Sequence, residues 1–177
     1  MPTSVAVSAS LSRPLLAAAH LVAASATFRK QVGETTQAGA LTHVYFDYAV
    51  DDEAPQPRAI VTPGEEFKAS RVGRGAWSHA GTIDLSVELI PSAFYIDAPE
   101  DEAMDTLNSF GAILDEMKAL SGQGAGITVG GVQETHLNVV AFNLLAGPSR
   151  CDPLLEDEIK AERKFFWGIV WSLAWAN

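Results

Sequence analysis

The sequence predicts an α+β domain: a mostly antiparallel sheet with two helices packed on one face. Three stretches carry that expectation. "TIDLSVELI" alternates Ile83, Leu85, Val87 and Leu89 with Thr82, Asp84, Ser86 and Glu88, the period-two pattern of a strand with one buried face. "KFFWGIVWSLAWAN" repeats it, with Phe165, Trp167, Ile169, Trp171, Leu173 and Trp175 on one side. "PEDEAMDTLNSFGAILDEMKALSGQG" instead sets Ala103, Leu107, Phe110, Leu114 and Met117 along a helical stripe. Two helices among closely spaced strands supply too few crossovers for a parallel sheet, so the strands are expected to pair mainly antiparallel.

Residues 1–13 are expected to be flexible. A first helix is predicted from Pro14 to Val32, with Ser12 as cap, Pro14 in the first turn and Gly33 as the stop. The polar stretch "GETTQAGALT" follows. "HVYFDY" then alternates Val44, Phe46 and Tyr48 against His43, Tyr45 and Asp47, and "DDEAPQP" reads as a loop. Arg58 to Thr62 reads as a short strand closed by a Pro63-Gly64 turn, leading into a second strand, "EEFKASRV". The glycines of "GRGAWSHAG" at 73, 75 and 81 suggest a mobile loop before the strand Thr82–Ile90. Glu100, Asp101 and Glu102 suit the positive end of the second helix, and Gly122 ends it. A strand around Ile127–Val132, with a bulge at Gly130-Gly131, is expected to continue or re-form through Leu137–Leu145. Residues 146–160 read as a long loop, and the tryptophan strand closes the sheet. Trp167, Trp171 and Trp175 are expected beneath the helices, with an interface as the alternative.

At 177 residues the chain fits a single domain over 1–177, and apolar and charged fractions of 47% and 19% are those of a folded protein. The 12 basic and 22 acidic residues give a net charge of −10, which argues against a function built on neutralising phosphates. The same charge serves either solubility or a neutral or basic partner. The single cysteine, Cys151, excludes an internal disulfide. "RPLLAAAHLVAASATF" has features of a signal peptide, but its apolar stripe (Ala17, Leu21, Ala24, Phe28, Val32) runs through the would-be cleavage site. The apolar run is also shorter than the roughly 20 residues of a membrane span.

Chemistry-bearing patterns are scarce. "GQGAGITVGG" follows a helix and opens a strand, the reverse of a phosphate loop, and has no Gly-Lys-Ser/Thr. His20, His43, His79 and His136 lack metal-ligand spacing, although His43 and His136 could meet across strands. Cys151 has no nearby histidine in sequence, and the acidic runs 51–53, 100–102 and 156–158 read as solvated faces or helix starts. No catalytic residue, metal or cofactor is expected. Arg58, Lys68, Arg71 and Arg74 form a modest basic cluster, either a partner-binding patch or a charged edge strand.

The opening helix, "PRAIVTPGEEF", "RVGRGAWSHAGTIDLSVELI", "DTLNSFGAILDEMKALSGQGAGITVGGV" and the final aromatic strand together resemble the tail terminator and related minor tail proteins of tailed bacteriophages, over about residues 14–175. The resemblance implies a non-enzymatic virion protein of the tail or neck, assembled in the host cytoplasm. It implies a homo-hexameric ring that contacts the tail-tube protein on one face and the head-completion protein on the other. DNA would pass through the lumen without specific binding, and an acidic lumen would repel its phosphates. Loops 73–81 and 146–158 are the expected contact regions, with Arg71, Arg74, Trp77, His79, Arg150, Asp152, Glu156 and Asp157 as candidate interface residues. Another head–tail connector or tail-tube protein is the nearest alternative, and a small α+β enzyme or ligand-binding domain the more distant one.

Overall fold

The alanine-rich N-terminal segment winds into α1 (Ser12–Ala24), which buries Ala18, Leu21, Val22 and Ala23 completely. The computed structural model describes residues 12–46, 54–74, 76–91, 99–122, 127–129, 132–134, 139–151 and 166–176. Of the segment expected to be flexible, Ser12 and Arg13 lie within α1, so Ser12 is helical instead of a cap. The predicted single helix to Val32 is in fact two. Ser25 leaves the helical path at φ −59° and ψ 126°, and α2 (Ala26–Gln31) starts afresh behind it. Gly33 stops α2 as expected: at φ +76° it lets its own N–H reach the Lys30 carbonyl and that of Glu34 reach the Arg29 carbonyl, a Schellman closure. The polar stretch beyond it holds α3 (Gln37–Ala40), capped by the Thr36 hydroxyl on the Gly39 N–H, and a 3₁₀ turn, Leu41–His43.

The main sheet contains β1 (Val44–Phe46), β2 (Arg58–Val72), β3 (Ala76–Leu89), β6 (Val139–Cys151) and β7 (Phe166–Ala176), in the order β1-β2-β3-β7-β6. β1 runs parallel to β2, and every other pairing in this sheet is antiparallel. A separate antiparallel pair, β4 (Ile127–Val129) and β5 (Val132–Glu134), lies by α1. α4 (Pro99–Gly122) completes the fold. The α+β expectation and the mainly antiparallel sheet therefore hold, with four α-helices among the described residues in place of two.

Several boundaries differ from expectation. Pro63-Gly64 makes no turn; it lies in a bulge, where β2 advances from Pro63 to Phe67 while β3 moves only from Ile83 to Gly81. Of the supposed mobile loop 73–81, Gly73 and Arg74 form the turn that follows β2 and residues 76–81 open β3, while Gly75 lies outside the described residues. Of the two expected forms, a continuous or a re-formed strand, the structure has separate strands: β4 folds back on β5, and a new strand, β6, begins at Val139; Gly130, Gly131, Leu137 and Asn138 lie outside the described residues. Residues 146–151 belong to β6 and carry two of its register shifts, while 152–160 lie outside the described residues, as do Tyr48 and His136.

Period-two patterning places the core. Ala59, Val61, Ile83, Leu85, Val87, Leu89, Ile169, Trp171, Leu173 and Trp175 are buried on one face. Trp171 meets Phe110 of α4 edge-on, with ring centroids 6.2 Å apart and planes at 85°, so the tryptophan strand does lie under a helix. α4 is rotated from the predicted stripe: Glu102, Thr106, Phe110, Ile113 and Met117 face inward, and Leu107 is exposed. Buried polar groups explain the rotation. Glu102 Oε1 accepts the Trp167 indole N–H at 3.0 Å, and the Thr106 hydroxyl donates to the Glu102 carbonyl at 2.8 Å.

Candidate functional site

The ladder between β3 and β7 runs from Leu89 opposite Trp167 to Ala80 opposite Ala176. Ala76–His79 therefore pair only with β2, and among the described residues no third strand supports them. The hairpin continues past the sheet as a two-stranded arm about 14 Å long at roughly 3.4 Å per residue. A two-stranded ribbon has little stability of its own in water, so its side chains are expected to find cover elsewhere.

Four of the predicted site residues meet on this arm. Arg71 lies directly opposite Trp77 across the ladder, Arg74 sits in the turn, and His79 pairs with Ala69. Trp77 is 60% exposed and Val72 57%. Lys68 adds a third positive charge, and residues 67–80 contain none of the chain's 22 acidic residues. At the root, the Phe67 ring stacks on His79 with centroids 5.9 Å apart and tilts toward Trp175 at 6.4 Å. The arm is thus fastened to the core strand through three aromatic rings.

The other predicted residues are placed differently. Arg58 leaves the expected basic cluster: it is buried, and its Nε donates to Glu88 Oε2 at 2.7 Å across the β2–β3 register. Its Nη1 reaches the Ala54 carbonyl at 3.0 Å, and Gln56 Nε2 donates to the same Glu88 oxygen at 3.1 Å. Arg150 lies on β6 opposite Trp167, with Nε 3.9 Å from Glu102 Oε1, well away from the arm. Asp152, Glu156 and Asp157 lie outside the described residues.

The sequence reading missed two surfaces. On the edge strand β6, Val140, Leu144 and Leu145 are 60%, 58% and 56% exposed, and Val139–Leu145 contains no charged residue to discourage pairing. The exposed side of α4 carries Glu100, Asp101, Met104, Asp105 and Leu107. Helical spacing brackets these five together, a signal that was in the sequence once Leu107 was taken out of the buried stripe.

The titratable groups displaced from their ordinary behaviour lie away from the arm. Burial holds the His20 imidazole below its usual value; Gln37 Nε2 donates to the His20 carbonyl at 3.1 Å beside it. Burial pushes the Glu116 carboxyl up, but hydrogen bonds from the Ser25 hydroxyl, the Thr27 N–H and hydroxyl, and the Ala26 N–H outweigh it and leave the group below its usual value. Among the described residues no three His, Cys, Asp or Glu side chains are placed to hold a metal ion, and no helix is long and apolar enough to cross a membrane. A groove of about 90 Å³ beside the arm's root, between Pro14, the Pro63-Gly64 bulge and Trp175, is smaller than the roughly 300 Å³ at which small-molecule pockets begin. Compared with models of known protein families and with characterised proteins, the sequence finds no match.

Proposed function

We propose that the protein is a structural subunit of a bacteriophage neck, a tail terminator that closes into a hexameric ring, caps the tail tube and joins it to the head. One observation carries this reading: large apolar side chains are exposed on an arm that no third strand among the described residues supports and along the uncharged Val139–Leu145 stretch of a sheet edge in the same small domain. Surfaces of that kind belong to proteins that finish burying themselves against partners. The resemblance of the sequence to tail terminators is a second support. In this reading the protein acts by assembly and not by catalysis. Its surplus of acidic residues keeps DNA moving through the lumen, because like charges repel.

Native mass spectrometry over a concentration series tests it, followed by negative-stain microscopy with purified tail tubes. A discrete closed oligomer that caps tubes is the expected result. A monomer that stays a monomer when tubes are added overturns the reading.

A further inference from the structure

The geometry points to one specific contact between copies: the basic arm of one chain docks on the exposed acidic side of α4 in the next. This rests on the assembly reading above and names the surfaces that make it. On one face the arm offers Arg71 beside exposed Phe67 and Trp77, with Arg74 in the turn at its end, while Lys68 and exposed Val72 alternate onto the other face. The α4 side offers Glu100, Asp101 and Asp105 around Met104 and Leu107, which are 56% and 39% exposed, and residues 99–110 include no basic side chain. Apolar centres ringed by opposite charges are the pattern of a protein interface, whereas a purely electrostatic patch would lack the apolar centres. Arg150, a positive group near the start of α4, is already directed at Glu102.

The two surfaces cannot meet within one chain. The arm is rooted at Trp175 through Phe67, while the start of α4 is fixed at Trp167 through Glu102. Those two tryptophans lie at opposite ends of β7, about 27 Å apart at roughly 3.4 Å per residue. Where no two-fold axis makes it reciprocal and stops it at a dimer, a contact joining opposite ends of identical subunits is heterologous, so it propagates head to tail and either closes a ring or grows an open chain. An arm bearing both tryptophan and arginine also suits stacking on single-stranded nucleic acid. The overall acidic charge of the chain favours the second copy as occupant.

Sedimentation velocity of the full chain, over rising concentration and at low and high salt, tests the contact. Reversing the arm with Arg71→Glu/Arg74→Glu is expected to weaken association roughly tenfold or more. Glu100→Lys/Asp101→Lys is expected to do the same, and combining all four changes in one chain to restore most of it. Because reversing charges in the first turn of α4 also weakens the helix, Met104→Ala, which a helix tolerates, is the second probe and should weaken association with an unchanged melting curve. Reversals that leave association unchanged overturn the arm contact while leaving the ring reading in place. Arm-dependent growth of open chains with no closed species keeps the contact and overturns the ring. A wild-type chain that is monomeric throughout, or an arm-dependent complex with a fluorescent oligothymidylate in place of self-association, overturns the contact.

Discussion

At the scale of single residues, two carboxylates far apart in sequence decide how the helices and strands are joined. Glu116 of α4 does for α2 what a local acidic residue does in a capping box. It accepts from the Ser25 hydroxyl at 2.6 Å and from the Thr27 N–H at 3.0 Å, while Ser25 Oγ accepts from the Phe28 N–H at 3.0 Å. Glu116→Gln is therefore expected to lower stability by about 1–2 kcal/mol at neutral pH. Since the folded chain holds this carboxyl below its ordinary value of 4.5, its contribution is complete above that pH and is lost as pH falls through the folded value. His20 acts in the same direction in a higher window. Its folded value lies below 6.5, so the unfolded chain takes up the proton first and stability declines as pH drops past that point. Urea titrations between neutral and acid pH check both: Glu116→Gln should flatten only the acid limb, and His20→Gln only the limb nearer neutrality. Arg58→Ala is expected to cost about 3 kcal/mol, because Glu88 would keep its half-buried charge with no cation opposite. Arg58→Met with Glu88→Leu should cost less than Arg58→Ala alone, and equal losses would show that the pair stabilises by its own attraction.

At the scale of elements, the strands and α4 were legible because period two and period 3.6 were present in the residues themselves. The break at Ser25 was not legible, since the group that stabilises it lies on another helix, 91 positions away. The rotation of α4 was hidden for a related reason: counting apolar residues favours Leu107, whereas the structure buries Glu102 for its bond to Trp167. Of the candidate site, the residue types of the arm were recognised, but its form was not. Glycines at 73 and 81 read as a loop, although Gly81 serves a strand. A Cβ at Gly81 would lie 2.6 Å from the Glu66 carbonyl oxygen and 3.3 Å from Trp175 Nε1, so only a bare backbone lets the bulge and the tryptophan close on each other. Gly81→Ala is expected to cost about 1–3 kcal/mol, measured by chemical denaturation. Amide exchange should separate the hairpin into two parts, with Lys68–Val72 and Ala76–His79 exchanging first and the β3–β7 ladder last. Uniform protection along the hairpin would show that the arm is not the unsupported ribbon its pairing describes.

At the scale of the whole molecule, helices on one face of the sheet leave apolar side chains of the arm, the β6 edge and the outer side of α4 exposed among the described residues. If opposite charge drives assembly, raising the salt concentration should dissociate the oligomer with no fall in the melting temperature of the subunit. Light scattering and circular dichroism on the same samples check this. Oligomers indifferent to salt would shift the weight to the apolar β6 edge. The positions of the four tryptophans have a spectroscopic consequence. Trp171 and Trp175 are sealed in the core and Trp167 is partly covered, whereas Trp77 stands in water at the end of the arm. Iodide will quench emission from Trp77 first, and any body that settles over the arm will shift that emission to the blue while the other three barely change. The protein thus carries its own dye, placed at the spot where occupancy is in question.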